Sequence, residues 1–63
     1  MTVAIGFAGF HLDFDLDHEA RTWVPVEPSS ADLLDEDAFP LIGRSAGRRY
    51  ELFGDGTFDT VDL

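Results

Sequence analysis

The sequence predicts an α+β domain: a small antiparallel sheet in the order β-β-β-α-β-β, with one short helix packed on its apolar face. Three observations predict it. Residues Phe10 to Asp17 alternate apolar and polar with a period of two, the repeat of a strand with one buried face. Asp55-Gly56 lies between two strand-like runs, a strong hairpin signal. A single stretch, Ala31 to Phe39, runs from a candidate N-cap to a proline, as a short helix should. A sheet with one apolar face needs a cover, and one helix laid across it is the economical solution.

The first two strands follow from parity. Val3, Ile5 and Phe7 are apolar at odd positions; Phe10, Leu12, Phe14 and Leu16 are apolar at even ones. A two-residue turn at Ala8-Gly9 pairs Phe7 with Phe10, Ile5 with Leu12 and Val3 with Phe14, placing every apolar side chain on one face. The competing reading is one long strand with a bulge at the same place, because an extra residue also restores the facing. The hairpin is preferred. A three-residue turn at Glu19-Ala20-Arg21 then returns the chain as Thr22 to Val26, setting Val24 against Leu16 and Val26 against Phe14. Pro25 donates no amide, so this third strand belongs at an edge, or at least has Pro25's side unpaired.

Glu27-Pro28-Ser29-Ser30 is a break. Ser29 or Ser30 would cap the helix that begins at Ala31, and Asp32 suits its positive end. Leu34 and Ala38 would share one face and Asp32, Asp35 and Glu36 the other. Asp35, Glu36 and Asp37 crowd the end where the dipole disfavours acids, so packing must hold this helix. Gly43 to Arg49 reads as a flexible basic connector. The last two strands, Tyr50 to Phe53 and Thr57 to Val61, flank Gly54-Asp55-Gly56. A two-residue loop there pairs Phe53 with Phe58; a three-residue loop pairs Leu52 with Phe58.

Composition bounds the function. With 63 residues, the chain is one small acidic domain, 1–63. A domain of this size buries only about 60% of its unfolded surface. Cysteine is absent, so no disulfide helps. Six Phe, one Trp and one Tyr supply the core. Thirteen acids against four arginines, with no lysine, give a net charge of −9. That balance disfavours direct contact with nucleic acid or an anionic membrane, since both require a basic footprint. It favours a basic partner, with salt adaptation or a genome that prefers Asp and Arg to Lys as the competing explanation. No targeting or membrane-spanning segment is evident, so the expected location is cytoplasmic, or the host cell cytosol for a viral protein.

The second strand carries the candidate site. Alternation sends His11, Asp13, Asp15 and Asp17 to the polar face. Carboxylates two residues apart on a strand lie about 6.7 Å apart and repel by roughly 0.6 kcal/mol in water. A fold does not need such a row. Asp13, Asp15, Asp17 and Glu19 form one acidic line, and Asp32, Asp35 and Glu36 a second patch. Carboxylates at near-regular intervals can stand in for a phosphate backbone and occupy a basic groove.

Other chemistry is weakly encoded. His11-x-Asp13 has no third ligand in view. Asp13-x-Asp15-x-Asp17 opens like a calcium loop, yet places His18 where glycine is required and Val24 where glutamate is. No nucleophile motif surrounds Ser29, Ser30 or Ser45, and neither His11 nor His18 has an assignable partner as a base. No catalytic residue, metal site or cofactor is expected. In composition alone the chain resembles small virus-encoded inhibitors, which are acidic and compact and include nucleic-acid mimics. The likeness implies an anti-defence inhibitor that docks on the basic surface of a nucleic-acid-binding protein. The alternative is a small interaction module, homodimeric through an edge strand or exposed aromatics, whose acidity serves solubility or salt adaptation.

Overall fold

The computed structural model describes residues 1–7 and 9–63. Six strands run in order: β1 (Thr2–Phe7), β2 (Phe10–Asp17), β3 (Thr22–Pro25), β4 (Leu41–Ser45), β5 (Arg48–Leu52) and β6 (Phe58–Asp62). They form two antiparallel meanders, β1-β2-β3 and β4-β5-β6. The expected α+β architecture is therefore corrected. The protein is mostly β, and a second sheet covers the first where a helix was expected.

β1 and β2 pair as the parity switch requires, with Phe7 opposite Phe10, Ile5 opposite Leu12 and Val3 opposite Phe14. This antiparallel ladder excludes the bulged single strand. Of the proposed turn, Ala8 lies outside the described residues; Gly9 has φ 83°, the left-handed region open to glycine.

The third strand is displaced by one residue from expectation. Leu16 faces Trp23 and Phe14 faces Pro25, so Trp23 turns inward and Val24 outward. The cause is the turn. Asp17 Oδ1 accepts the amides of Glu19 and Ala20 at 3.0 and 3.1 Å, and Arg21 adopts φ 58°. Four residues, 18–21, separate the paired Asp17 and Thr22. The register also buries the larger side chain, since Trp offers more apolar area than Val. Trp23 packs edge-on against Phe14 at 5.4 Å and stacks on Phe39 at 5.6 Å. Its Nε1–H donates to the Phe53 carbonyl at 2.8 Å. β3 is an edge strand. The Val26 amide donates inward to the Asp13 carbonyl at 3.0 Å. The alternation of amides therefore leaves Pro25's nitrogen on the outer side, where a missing N–H costs the ladder nothing.

No α-helix forms over Ala31–Phe39. Two 3-10 turns, Pro28–Leu33 and Glu36–Ala38, are separated by extended Leu34 and Asp35. Pro28 starts the first, and neither cap makes a side-chain hydrogen bond. Three consecutive acids in the second half oppose the dipole of a longer helix. Leu34, Ala38 and Phe39 still pack against the core; extended links let each reach it without helical spacing.

Gly43 to Arg49 is no loose connector. β4 and β5 form a tight hairpin with Ser45 opposite Arg48. Ala46 and Gly47 have φ 52° and 74°, the paired left-handed values of the two-residue turn that matches strand twist. The last hairpin takes the longer-loop register, with Leu52 opposite Phe58 and the Phe53 amide donating to the Thr57 carbonyl at 2.9 Å.

Val3, Ile5, Leu12, Phe14 and Leu16 from the first sheet meet Leu41, Tyr50, Leu52 and Phe58 from the second in one core. The sheets are stitched at one edge by a Thr22–Thr57 bridge, with Trp23 N–H donating to Gly56 O at 2.9 Å and Phe58 N–H to Arg21 O at 3.1 Å.

Asp55 sets the last turn. Its Oδ1 accepts the Thr57 hydroxyl at 2.6 Å and the Thr57 amide at 3.0 Å. The hydroxyl bond, then the amide, hold its carboxyl below the ordinary carboxylate range. A carboxylate with a depressed folded pKa stabilises the fold above its unfolded pKa of about 3.9, and that stabilisation is lost as pH falls through the folded value. Asp55→Ala should therefore lower the Tm at pH 7, with the gap to wild type narrowing as the pH is taken below 4. Melts of the two proteins at pH 7, 4 and 2.5 check it; a gap that stays constant across the series rejects the assignment.

Candidate functional site

β2 is extended throughout, and its burial alternates as the sequence demands. Leu12, Phe14 and Leu16 are buried while His11, Asp13, Asp15 and Asp17 are exposed. The cross-strand neighbours of the acids are small or uncharged. Asp13 sits opposite Ala4, Asp15 opposite Thr2 on one side and Val24 on the other, and Asp17 opposite Thr22. Among the described residues no arginine pairs with this row; the arginine ion pairs are Arg48–Asp62 at 3.1 Å and Arg49–Glu51 at 3.2 Å, both on the second sheet. Such exposed pairs contribute little to stability.

The three aspartates are not equivalent. Asp13 makes no ion pair among the described residues. Asp15 meets the α-ammonium of Met1 at 3.1 Å. Asp17 spends one oxygen on the turn amides, so it has a structural duty as well as an outward charge. Glu19 lies in that turn and is exposed. Between β2 and β3, a hollow of about 260 Å3 is lined by Asp15, Leu16, Asp17, Thr22, Trp23 and Val24. Val24 and Val26 are 57% and 50% exposed, giving the acidic row an apolar border that a one-residue register error would hide.

The second acidic patch does not assemble as expected. Asp32, Asp35 and Glu36 are all exposed, but they fall in the first 3-10 turn, the extended link and the second turn respectively. The shared helical face that would have grouped them is absent. They add to the general field and form no ordered line.

Charge is unevenly placed. Residues 1–40 hold nine acids and one arginine, whereas residues 41–63 hold four acids and three arginines. The first sheet and the connector thus carry nearly all of the net negative charge. On the outer face of the second sheet, Arg44 sits directly across from Arg49, with Ile42 and Val61 exposed.

Among the described residues, no three or more His, Cys, Asp or Glu side chains converge to hold a metal ion. His11 and Asp13 acquire no third ligand. No helix among the described residues is long and apolar enough to cross a membrane. No family model matches the chain, and neither a curated protein nor a solved structure matches it.

Proposed function

We propose that the protein is an inhibitor that occupies the basic groove of a nucleic-acid-handling protein, in the manner of an anti-defence nucleic-acid mimic, and acts in the cytosol. The observation that carries this reading is the row Asp13, Asp15 and Asp17, outward on one continuous strand and, among the described residues, without arginine partners, its one cation being the Met1 α-ammonium at Asp15. Regular carboxylates fixed on a strand lose little entropy on docking, because the backbone already holds them. Complementary potential would speed encounter and set the register of the partner. Asp13 carries most of this role; Asp15 is shared with the Met1 α-ammonium and Asp17 with its turn.

The experiment is capture from cell lysate on immobilised protein, with graded salt washes and duplex DNA as competitor. Wild type should retain nucleic-acid-binding proteins, lose them as salt rises, and release them to DNA. The double variant Asp13→Arg, Asp15→Arg should lose that retention while its circular dichroism stays unchanged. Retention that survives both reversals, or that DNA does not compete, rejects the reading.

Exposed Ile42 and Val61 on the second sheet favour a second reading, a homodimeric interaction module. Sedimentation velocity separates the two: a salt-insensitive dimer that persists in the acid-face variant supports the module.

A further inference from the structure

At the open end of the core, Met1 and His18 bring a soft thioether sulfur and an imidazole nitrogen together. Parity explains their meeting. Odd residues of β1 and even residues of β2 point inward, and the Leu16 amide donates to the Met1 carbonyl at 2.7 Å, which continues the ladder to Met1. Both side chains therefore continue the buried face beyond its last strand residues. The His18 ring packs edge-on to Phe58 at 5.5 Å and to Tyr50 at 6.1 Å. Its Nε2 lies 3.1 Å from Met1 Sδ, and the Tyr50 hydroxyl donates to the same sulfur at 3.4 Å. Met1 is 45% exposed, so solvent reaches the pair.

From this geometry we propose that Met1 Sδ and His18 Nε2 form a binding site for a soft monovalent cation, Cu(I), for which Ag(I) is a redox-inert probe. Thioether sulfur selects Cu(I), and imidazole suits copper as well. The spacing is right for a chelate. With bonds of about 2.3 Å to sulfur and 2.0–2.1 Å to nitrogen, a 3.1 Å donor separation corresponds to an angle of roughly 90° at the metal. A few tenths of an ångström of side-chain movement, available to exposed residues, opens that angle towards tetrahedral. In the tautomer protonated at Nδ1, two lone pairs face each other, and a cation is the ligand both can share. The Tyr50 bond and the two aromatic contacts orient the donors beforehand, the part that outer partners play at metal sites. Asp17 and Glu19 flank His18 in the chain, and their charge raises the local concentration of any cation. The two donors, Met1 Sδ and His18 Nε2, lie outside the acidic docking row, and the site needs no partner protein.

The test is an Ag(I) titration of the full chain in chloride-free buffer, followed by nuclear magnetic resonance. The Met1 methyl and His18 ring signals should shift together and saturate at one equivalent, while the His11 ring signals stay in place. His18→Gln, which removes a direct ligand, should lose at least about tenfold in affinity, the least that loss of an outer partner of a ligand costs, and His11→Gln should lose none. The wild-type shifts decide the question even if His18→Gln folds poorly. Signals at Met1 and His18 that do not move, or His11 shifting equally, overturn the site.

Discussion

Phe14→Ala should cost about 3–5 kcal/mol of stability, the usual range for truncating a buried Phe. Its side chain is fully buried, lies at the centre of the middle strand of the first sheet, and packs perpendicular to the Trp23 ring at 5.4 Å. A chain of 63 residues has a total stability of about 3–9 kcal/mol, so this one truncation consumes about a third of it at the least. Without cysteine, no cross-link limits the loss. Urea denaturation, followed by both Trp23 fluorescence and far-ultraviolet circular dichroism, measures it. Phe10→Ala is the control. Phe10 shares the strand and the parity of Phe14 but is 57% exposed, and its loss should stay within about 1 kcal/mol. Equal effects at the two positions would mean that the buried face is not the one described.

The same strand shows what the sequence makes legible. The β1–β2 hairpin is preferred to a bulged single strand because a two-residue turn sets apolar against apolar at every inward pair, whereas a one-residue slip would set them against polar residues. The outward row of aspartates followed from the same parity. At β3 the pattern fails, because Trp23 and Val24 are adjacent and both apolar, so either can face inward. Loop length decides, and loop length is set by Asp17 capping the amides of Glu19 and Ala20, an interaction that leaves no periodic trace. The helix over Ala31 to Phe39 failed for the opposite reason. Its apolar spacing was acceptable, but the acids at Asp35, Glu36 and Asp37 opposed it, and Phe39 gained more by stacking on Trp23. With the helix went the ordered second patch at Asp32, Asp35 and Glu36. The border of Val24 and Val26 beside the acidic row became visible only once the register was known.

β4 was missed because a glycine sits where a buried strand normally shows an apolar side chain, and that glycine carries the second large expectation. Gly43 is buried and faces β1 across the core. A Cβ at this position would lie 2.7 Å from Ile5 Cγ1, 3.2 Å from Ile5 Cδ1 and 3.4 Å from Val3 Cγ1. Ile5 and Val3 are each only 1% exposed, so neither can swing into solvent to make room. Close packing transmits the clash to the strand backbones. Gly43→Ala should destabilise by about 1–3 kcal/mol, the cost of an extra methyl in a filled core. The effect opposes the few tenths to 1 kcal/mol that Gly→Ala gains by restricting the unfolded chain, so a net loss identifies the steric term as dominant. A double-mutant cycle with Ile5→Ala isolates it. Ile5→Ala alone should cost about 2–5 kcal/mol by opening a cavity. Combined with Gly43→Ala, which puts a methyl into that cavity, the loss should fall clearly short of additive. Strict additivity in the cycle would show that the two sheets do not meet at Gly43 and Ile5, and the contact that closes the core would have to be sought elsewhere.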